Sequence, residues 1–105
     1  MVELSLRAAD RLADIEDYIA NEGYPDTAER FVTALQVKAF SPGPVAPSIA
    51  VFYVSSVTGY AYQSFAHRGY RIVYTIIDER VIIVDFFHHA RSTASMHRSL
   101  DGFRP

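Results

Sequence analysis

The stretch from residue 69 to residue 91, GYRIVYTIIDERVIIVDFFHHAR, constrains the fold more than any other part of the chain. It contains two runs of β-branched and aromatic residues, Tyr70–Ile77 and Val81–Phe87. The polar break between them, Asp78-Glu79-Arg80, is so short that only a tight turn fits there. The pattern therefore predicts an antiparallel β-hairpin.

The second strand of this hairpin ends in a basic group formed by His88, His89 and Arg91. Neighbouring residues on a strand point to opposite faces, so we expect the two histidines to point apart and not to share a metal ion. One imidazole with an ordinary pKa would suit acid–base catalysis. The alternative, which we favour, is a half-buried histidine that is hydrogen-bonded to the backbone. We predict no metal site and no cofactor.

Arg71 lies on the first strand of the hairpin, and its neighbours Tyr70 and Ile72 lie on the other face. Its guanidinium can bind phosphate, or it can pair with the carboxylate of Asp85 across the hairpin. A turn at Asp78-Glu79 makes that pairing geometrically reasonable, so we favour the structural interpretation.

Two amphipathic helices are predicted before residue 40. Ser5 can cap the first helix, and Gly23, free to adopt a positive φ, can end it. Asp26 to Glu29 resembles a capping box that opens the second helix. Their short link predicts an antiparallel helical hairpin. The inward positions are Ala8, Leu12, Ile15 and Ile19 on the first helix, and Ala28, Phe31, Leu35 and Ala39 on the second.

The segment from 39 to 66 carries no charged residue and differs in composition from the rest of the chain. Its prolines and Gly43 argue against any helix over Ser41–Ser48 and against a membrane span. We expect strands at Ile49–Val54 and Tyr60–Ala66. So many apolar groups predict a tight protein partner, or self-association through Ile49–Val54. The tail from Ser92 is predicted to be a short helix or a loose, partly disordered arm, anchored by Leu100 and Phe103.

The length of 105 residues predicts one compact domain that covers residues 1–105. Half of the residues are hydrophobic, so this domain can form a core. The chain has no cysteine, which suits a reducing cytoplasm, and its first residues do not resemble a signal peptide. The net charge of −2 and a pI near 6.0 argue against direct, sequence-specific binding of nucleic acid. We expect no membrane partner.

These elements predict an α+β fold in which the N-terminal helical hairpin packs on a twisted antiparallel sheet of three to four strands. Val2–Leu4 is a candidate for a strand at the sheet edge. The residues expected in the core are Leu12, Ile15, Ile19, Phe31, Leu35, Ile72, Tyr74, Ile82 and Val84.

The order of elements resembles the RelE/ParE toxin superfamily, in its ParE-like branch. Leu4–Ala20 resembles the first helix of that branch, and Ala28–Phe31 resembles the start of its second helix. Gly69–Tyr74 resembles its central strand. The run 81–91 resembles its last strand, where a histidine is typically followed by an arginine three residues later. The chain departs from the family pattern at Gln63, where an arginine would be expected.

The resemblance implies the toxin of a type II toxin–antitoxin system involved in plasmid stabilization. Such a toxin would act by binding DNA gyrase, with no catalytic residue. A ParD-like antitoxin would neutralise it by laying an amphipathic helix into the groove of the helical hairpin. A homo-oligomer or a heterotetramer with the antitoxin is the expected assembly. The implied partner-binding residues are Leu12, Ile15, Ile19, Phe31, Leu35, Arg71, His88 and Arg91.

Two alternatives stay open. A RelE-like, ribosome-dependent mRNA endoribonuclease would use Arg71, His88 and Arg91 for catalysis, although one lysine and a negative net charge suit a polyanionic ribosome poorly. A degenerate, non-toxic remnant that only binds its antitoxin would explain why the segment 39–66 lacks arginines.

Overall fold

The computed structural model describes residues 2–41 and 43–105, with residues 43–45 described by their backbone. A sheet lies between a helical hairpin on one face and a C-terminal helix on the other. The elements in chain order are β1 (Val2–Leu4), α1 (Leu6–Asn21), α2 (Pro25–Ala39), a 3-10 helix (Gly43–Ser48), β2 (Val51–Val54), β3 (Ala61–His67), β4 (Tyr70–Ile77), β5 (Arg80–His88) and α3 (Thr93–Asp101).

The sheet has five strands in the order β1-β5-β4-β3-β2. The prediction of an α+β fold with a helical hairpin on a sheet is confirmed. Four strands, β2 to β5, pair antiparallel as expected, and Val2–Leu4 joins the sheet edge as predicted. The sheet is nevertheless mixed, because β1 runs parallel to β5. The chain passes through α1 and α2 after β1, so no hairpin turn fixes the direction of this strand relative to its neighbour.

Two tight turns, one at each end of β4, connect this strand to β3 and to β5. The predicted strand Tyr70–Ile77 is confirmed, and β5 starts one residue earlier than expected, so Asp78 and Glu79 alone form the turn. Both have positive φ, 50° and 65°, as a two-residue hairpin turn of type I′ requires. At the opposite end of β4, Arg68 and Gly69 have φ values of 51° and 80°.

The hairpin face of the sheet holds the first part of the core. Ser5 caps α1 by accepting a hydrogen bond from the Ala8 N–H, as predicted. The expected core residues of this face are Leu12, Ile15, Leu35, Ile72 and Tyr74, and all of them are buried. Ile19 and Phe31 are only partly buried and pack against that core. The predicted capping box at Asp26 is wrong, because α2 begins at Pro25, which is pre-organised for a first helical position.

The opposite face of the sheet is covered by the C-terminal helix. The tail forms α3, which Ser92 caps by accepting a hydrogen bond from the Ser95 N–H. Leu100 and Phe103 are buried, which confirms them as anchors, and they pack with Ile82 and Val84 of β5. The tail is therefore an ordered layer of the fold.

β5 is buried on both faces, and its register shifts in the middle. Val73 pairs with Asp85, whereas the next residue of β4, Tyr74, pairs with Ile83, so Val84 has no partner in the β4 register. Such a bulge re-aims the side chains that follow it. Phe86 consequently packs on the hairpin face and Phe87 on the α3 face.

The segment without charged residues is integrated into the fold. The prediction that Ser41–Ser48 contains no helix is wrong, since Gly43–Ser48 forms a 3-10 helix, while Pro42 lies outside the described residues. Pro47 lies inside this helix and donates no backbone hydrogen bond, whereas the Ile49 N–H donates to the Ala46 carbonyl at 3.3 Å. The buried Gln63 fixes this segment by donating through Nε2 to the carbonyl oxygens of Ala46 (2.9 Å) and Ile49 (2.6 Å).

Candidate functional site

The predicted site residues Arg71, His88 and Arg91 come together where β4 and β5 meet the chain leading into α3. They line a cavity of about 200 Å³. The turn between β3 and β4 closes one side of it, and the first turn of α3 closes another. The full lining is Ala66, Gly69, Tyr70, Arg71, His88, His89, Arg91, Thr93 and Met96.

The two histidines do not point apart, so that prediction is wrong. Their ring centroids are 4.3 Å from each other. β5 ends at His88, and His89 already belongs to the following turn, where strand alternation no longer holds. The backbone N–H of His89 donates to the Gly69 carbonyl at 2.8 Å, and its ring Nδ1 lies 3.0 Å from the same oxygen.

His88 is exposed, and its ring is oriented by two contacts. Its Nδ1 accepts a hydrogen bond from the Ala90 N–H at 3.2 Å, and its ring packs edge-on against Tyr70 with centroids 5.3 Å apart. The expected hydrogen bond to the backbone is present, whereas the expected half-burial is not. Because Nδ1 accepts, Nε2 is the ring atom that His88 offers to a partner.

Arg71 does not pair with Asp85, so the favoured structural interpretation of this residue is wrong. Arg71 lies opposite Phe87 on the α3 face, whereas Asp85 accepts hydrogen bonds from Arg7 and Arg11 of α1. Arg71 instead donates to the Ser64 hydroxyl at 3.2 Å and lies over the Phe52 ring, 5.5 Å from its centroid. Its side chain is exposed, so the guanidinium can still bind a partner.

Arg91 attaches the C-terminal helix to the sheet. Its Nε donates to the Ser95 hydroxyl at 2.8 Å, and its guanidinium lies 4.7 Å from the centre of the Phe87 ring. Burial lowers the pKa of Arg91, and the nearby positive charge of Arg11 lowers it further. Arg91 is therefore a fixed part of the cavity wall and also a structural contact of α3.

A second basic cluster, which the sequence analysis missed, surrounds Asp85. This carboxylate is fully buried and accepts from Arg7 Nε at 3.1 Å and Arg11 Nε at 2.9 Å. The Phe86 N–H also donates to it, and Arg7 donates to the Ser99 hydroxyl of α3. The hydrogen bond with Asp85 raises the pKa of Arg11. An aspartate within the apolar run VIIVDFF, with two arginines one helical turn apart on α1, was the available signal.

The cavity at Arg71 differs from that cluster in its charge balance. Among the described residues, no carboxylate lines it, and neither Arg71 nor Arg91 belongs to an ion pair. Paired guanidinium and imidazole groups without a counter-ion favour an anion. The described residues contain no cluster of His, Cys, Asp or Glu that could hold a metal ion.

A neighbouring cavity of about 210 Å³ extends the site towards α1. The two cavities share a wall formed by Tyr70, His88 and Arg91. Beyond that wall, the lining changes to Ile15 and Tyr18 with Asp14. Burial raises the pKa of the Tyr70 hydroxyl, so this group stays a neutral hydrogen-bonding partner between the two cavities.

The apolar residues predicted to bind a partner lie mainly inside the fold. Leu12, Ile15 and Leu35 are buried between the helical hairpin and the sheet, where they hold the two layers together. Ile19 and Phe31 are partly accessible at the rim of that interface. The apolar side chains that the helical hairpin exposes are Leu6, Tyr18, Tyr24, Val37 and Phe40.

Charge is distributed unevenly along the chain. Residues 1–29 contain eight of the twelve carboxylates but only two of the ten Lys and Arg residues. Residues 30–105 contain four carboxylates and the other eight basic residues, so this part of the chain is basic although the chain as a whole is acidic. In the described part of the chain, no helix is long and apolar enough to cross a membrane.

Comparison with known proteins gives a matching family and similar solved structures. The family described as "ParE toxin of type II toxin-antitoxin system, parDE" matches residues 2–93. A structure titled "Chromosomal ParDE TA system from P. aeruginosa" superimposes with a TM-score of 0.62 at 16% identity, covering 83% of this chain and 92% of that chain. No curated protein matches the chain. At this identity, the structural likeness supports the fold.

Proposed function

Given that the chain belongs to the ParE toxin family of type II toxin–antitoxin systems, we propose that it is a toxin that binds DNA gyrase and is neutralised by a cognate antitoxin. The family match covers the helical hairpin and the whole sheet, and this observation carries the proposal. Binding surfaces, and not a catalytic constellation, would perform this function.

The antitoxin would contact two parts of the surface. Arg71, His88 and Arg91 would bind polar groups at the end of the sheet, where they share one cavity. An amphipathic antitoxin helix would cover the exposed apolar residues of the helical hairpin, such as Tyr18 and Val37, and the accessible edges of Ile19 and Phe31. Leu12, Ile15 and Leu35 would support this surface from beneath.

A ribosome-dependent mRNA endoribonuclease is the second candidate, and the grouping of Arg71, His88 and Arg91 around one cavity favours it. Cleavage of RNA needs a general base and an acid on opposite sides of the reacting phosphate, together with cations that stabilise its charge. The chain has a single lysine and a net charge of −2, which suit binding to the polyanionic ribosome poorly. These features support a binding role over a catalytic one.

A non-toxic, antitoxin-binding remnant is the third candidate, motivated by the segment 39–66 without arginines. This segment nevertheless contributes β2, most of β3 and the buried Gln63 to the fold. A chain that folds in this way retains the surfaces needed for binding, whether or not it is still toxic.

We expect the protein to act in the cytoplasm, within a module that stabilises a plasmid, as a heterotetramer with its antitoxin. Self-association is the alternative assembly. β2 lies at the edge of the sheet and exposes Val51 and Val54, and it carries no charged residue that would discourage pairing with another strand. Light scattering of the chain alone and with the antitoxin would separate the two assemblies.

Expression in bacteria separates the three functions. Growth arrest with a DNA-damage response is the result that gyrase binding predicts. Growth arrest with mRNA cleavage would instead identify the nuclease, and normal growth with retained antitoxin binding would identify the remnant. Co-expression of the antitoxin serves as the control, since it should restore growth in either toxic case.

A further inference from the structure

Resting on the proposed function, we propose that the cavity lined by Arg71, His88, His89 and Arg91, here called the basic pocket, receives carboxylate side chains of the antitoxin. The ligand class is a glutamate or aspartate in the segment of the antitoxin that binds the toxin. The proposal follows from the charge balance, the rigidity and the surroundings of this pocket.

The positive charges of the basic pocket form no ion pair with the described residues of the chain. The ion pairs among the described residues use Arg7 and Arg11 with Asp85, and Arg80 with Glu3. The chain has no Asp or Glu between residues 30 and 77 or between residues 86 and 100, which include every residue that lines the pocket. An anion in this pocket therefore has to come from another molecule.

The pocket is also preorganised. His89 is fixed by two contacts with the Gly69 carbonyl, and Arg91 is fixed by Ser95 and Phe87. Gly69 permits this arrangement, because its φ is +80° and an added Cβ would lie 3.4 Å from His89 Nδ1. Little conformational entropy is lost when a ligand binds to groups that are already held in place.

Two exposed groups, Arg71 and His88, complete the pocket at its mouth. A planar guanidinium binds a carboxylate with two parallel hydrogen bonds, and His88 Nε2 can add a third. Ala66 and the buried Met96 form apolar parts of the wall. An ionic hydrogen bond beside apolar groups is stronger than one that is surrounded by water.

The surroundings favour an acidic protein segment over RNA. Beyond the shared wall of Tyr70, His88 and Arg91, the neighbouring cavity presents Ile15 and Tyr18. Its charged lining residues there are Asp14 and Arg11, and Arg11 is already paired with Asp85. A phosphate backbone that continued in this direction would approach the carboxylate of Asp14, on a helical hairpin rich in further carboxylates. A protein segment can place an acidic residue in the basic pocket and an apolar residue against Tyr18.

The test compares the affinity of the cognate antitoxin, by calorimetry, for the wild-type chain and for two double variants. The double variant Arg71→Gln with His88→Gln removes the charged groups at the mouth of the pocket. It should weaken antitoxin binding about tenfold or more, because about tenfold is the effect of losing one charge-assisted hydrogen bond. The matched control, Arg80→Gln with Arg104→Gln, removes two positive charges outside the pocket and should change affinity less than about twofold. Equal affinity of the wild type and the pocket variant would overturn the inference.

A charge reversal makes the test specific for a carboxylate. Arg71→Glu should abolish binding, and an antitoxin in which one acidic residue is changed to Arg should restore part of it. Failure of every such acidic residue to compensate would contradict the proposal. If the antitoxin does not bind even the wild-type chain, the proposed function itself fails. If the pocket variants instead lose affinity for a single-stranded RNA while antitoxin binding is unchanged, the basic pocket is an RNA site.

Discussion

The Asp85 cluster and the basic pocket lie at neighbouring parts of β5 and contain the same kinds of basic side chain. In the Asp85 cluster, Arg7 and Arg11 share one fully buried carboxylate. In the basic pocket, Arg71 and Arg91 form no ion pair with a described residue, and no described carboxylate lines the pocket. An arginine that is paired with a carboxylate of the same chain stabilises the fold. An arginine without such a pair can bind an anionic group of a partner.

The difference arises from what lies next to each group. Asp85 follows Val81 and Ile83 on the strand face that packs on the helical hairpin, and its carboxylate meets Arg7 and Arg11 of α1 there. In the strand register, Arg71 lies between Ala66 and Phe87, so neither neighbouring strand places a carboxylate directly opposite it. The position of the nearest carboxylate therefore separates the structural cluster from the proposed binding site.

The largest expected effect on stability follows from removal of the Asp85 carboxylate. Asp85→Asn should lower the free energy of unfolding by about 3–5 kcal/mol, because two partly buried guanidiniums lose their shared counter-ion. Urea denaturation at neutral pH measures this change. Asp17→Asn, on the exposed side of α1, is the control and should change stability by less than about 0.5 kcal/mol. A similar small change in Asp85→Asn would show that the cluster is not structural.

Arg91 belongs to both regions, since it lines the basic pocket and also holds α3. Arg91→Met keeps much of the packing but removes the bond to Ser95 and the cation over Phe87, and should cost about 1–2 kcal/mol. Hydrogen exchange should show the loss of protection mainly in α3. If hydrogen-exchange protection of α3 is unchanged, Arg91 does not hold this helix and contributes only to the basic pocket.

The exposed groups of the basic pocket should matter little for folding. The double variant Arg71→Gln with His88→Gln should alter the free energy of unfolding by less than about 1 kcal/mol, since both side chains are exposed and make no ion pair among the described residues. The same urea titration serves as the measurement. A loss of stability as large as that expected for Asp85→Asn would contradict the proposed difference between the Asp85 cluster and the basic pocket.

The smallest expected effect is a loss of stability at acidic pH. It concerns Asp101, another carboxylate that is hydrogen-bonded within the chain. Hydrogen bonds from Tyr53 and Ser55 lower the pKa of Asp101 below its ordinary value. Its contribution to stability is therefore present above the unfolded-state pKa of about 3.9 and is lost as the pH falls through the lower pKa of the folded state. Between pH 6 and pH 3, the wild type should lose more stability than Asp101→Asn, and equal losses would contradict this role.

Sequence patterns predicted the elements whose periodicity is set locally. The stripe of α1, the cap at Ser5 and the strand Tyr70–Ile77 are confirmed because each depends on spacing within a few residues. The 3-10 helix was missed because it is held by Gln63 and Tyr74, whose contacts to Ala46 span 17 and 28 residues. Local propensity contains no information about such contacts.

The residues of the candidate site could be named from the sequence, whereas their contacts could not. Arg71, His88 and Arg91 line one cavity, and their role in binding stays a prediction. The predicted partner of Asp85 was wrong, because Asp85 binds Arg7 and Arg11, which lie 78 and 74 residues away in the chain and are not visible in a local pattern. The predicted orientation of the histidines was wrong because strand alternation stops at His88, where the turn begins.

The central claim is that the basic pocket binds a partner and does not cleave RNA. The most direct measurement adds the purified chain to translating ribosomes and maps the 5′ ends of the mRNA by primer extension. Intact mRNA, at chain concentrations that inhibit supercoiling by DNA gyrase, is the predicted result. Site-specific cuts that disappear in Arg71→Gln or His88→Ala would contradict the account and identify the pocket as a nuclease site.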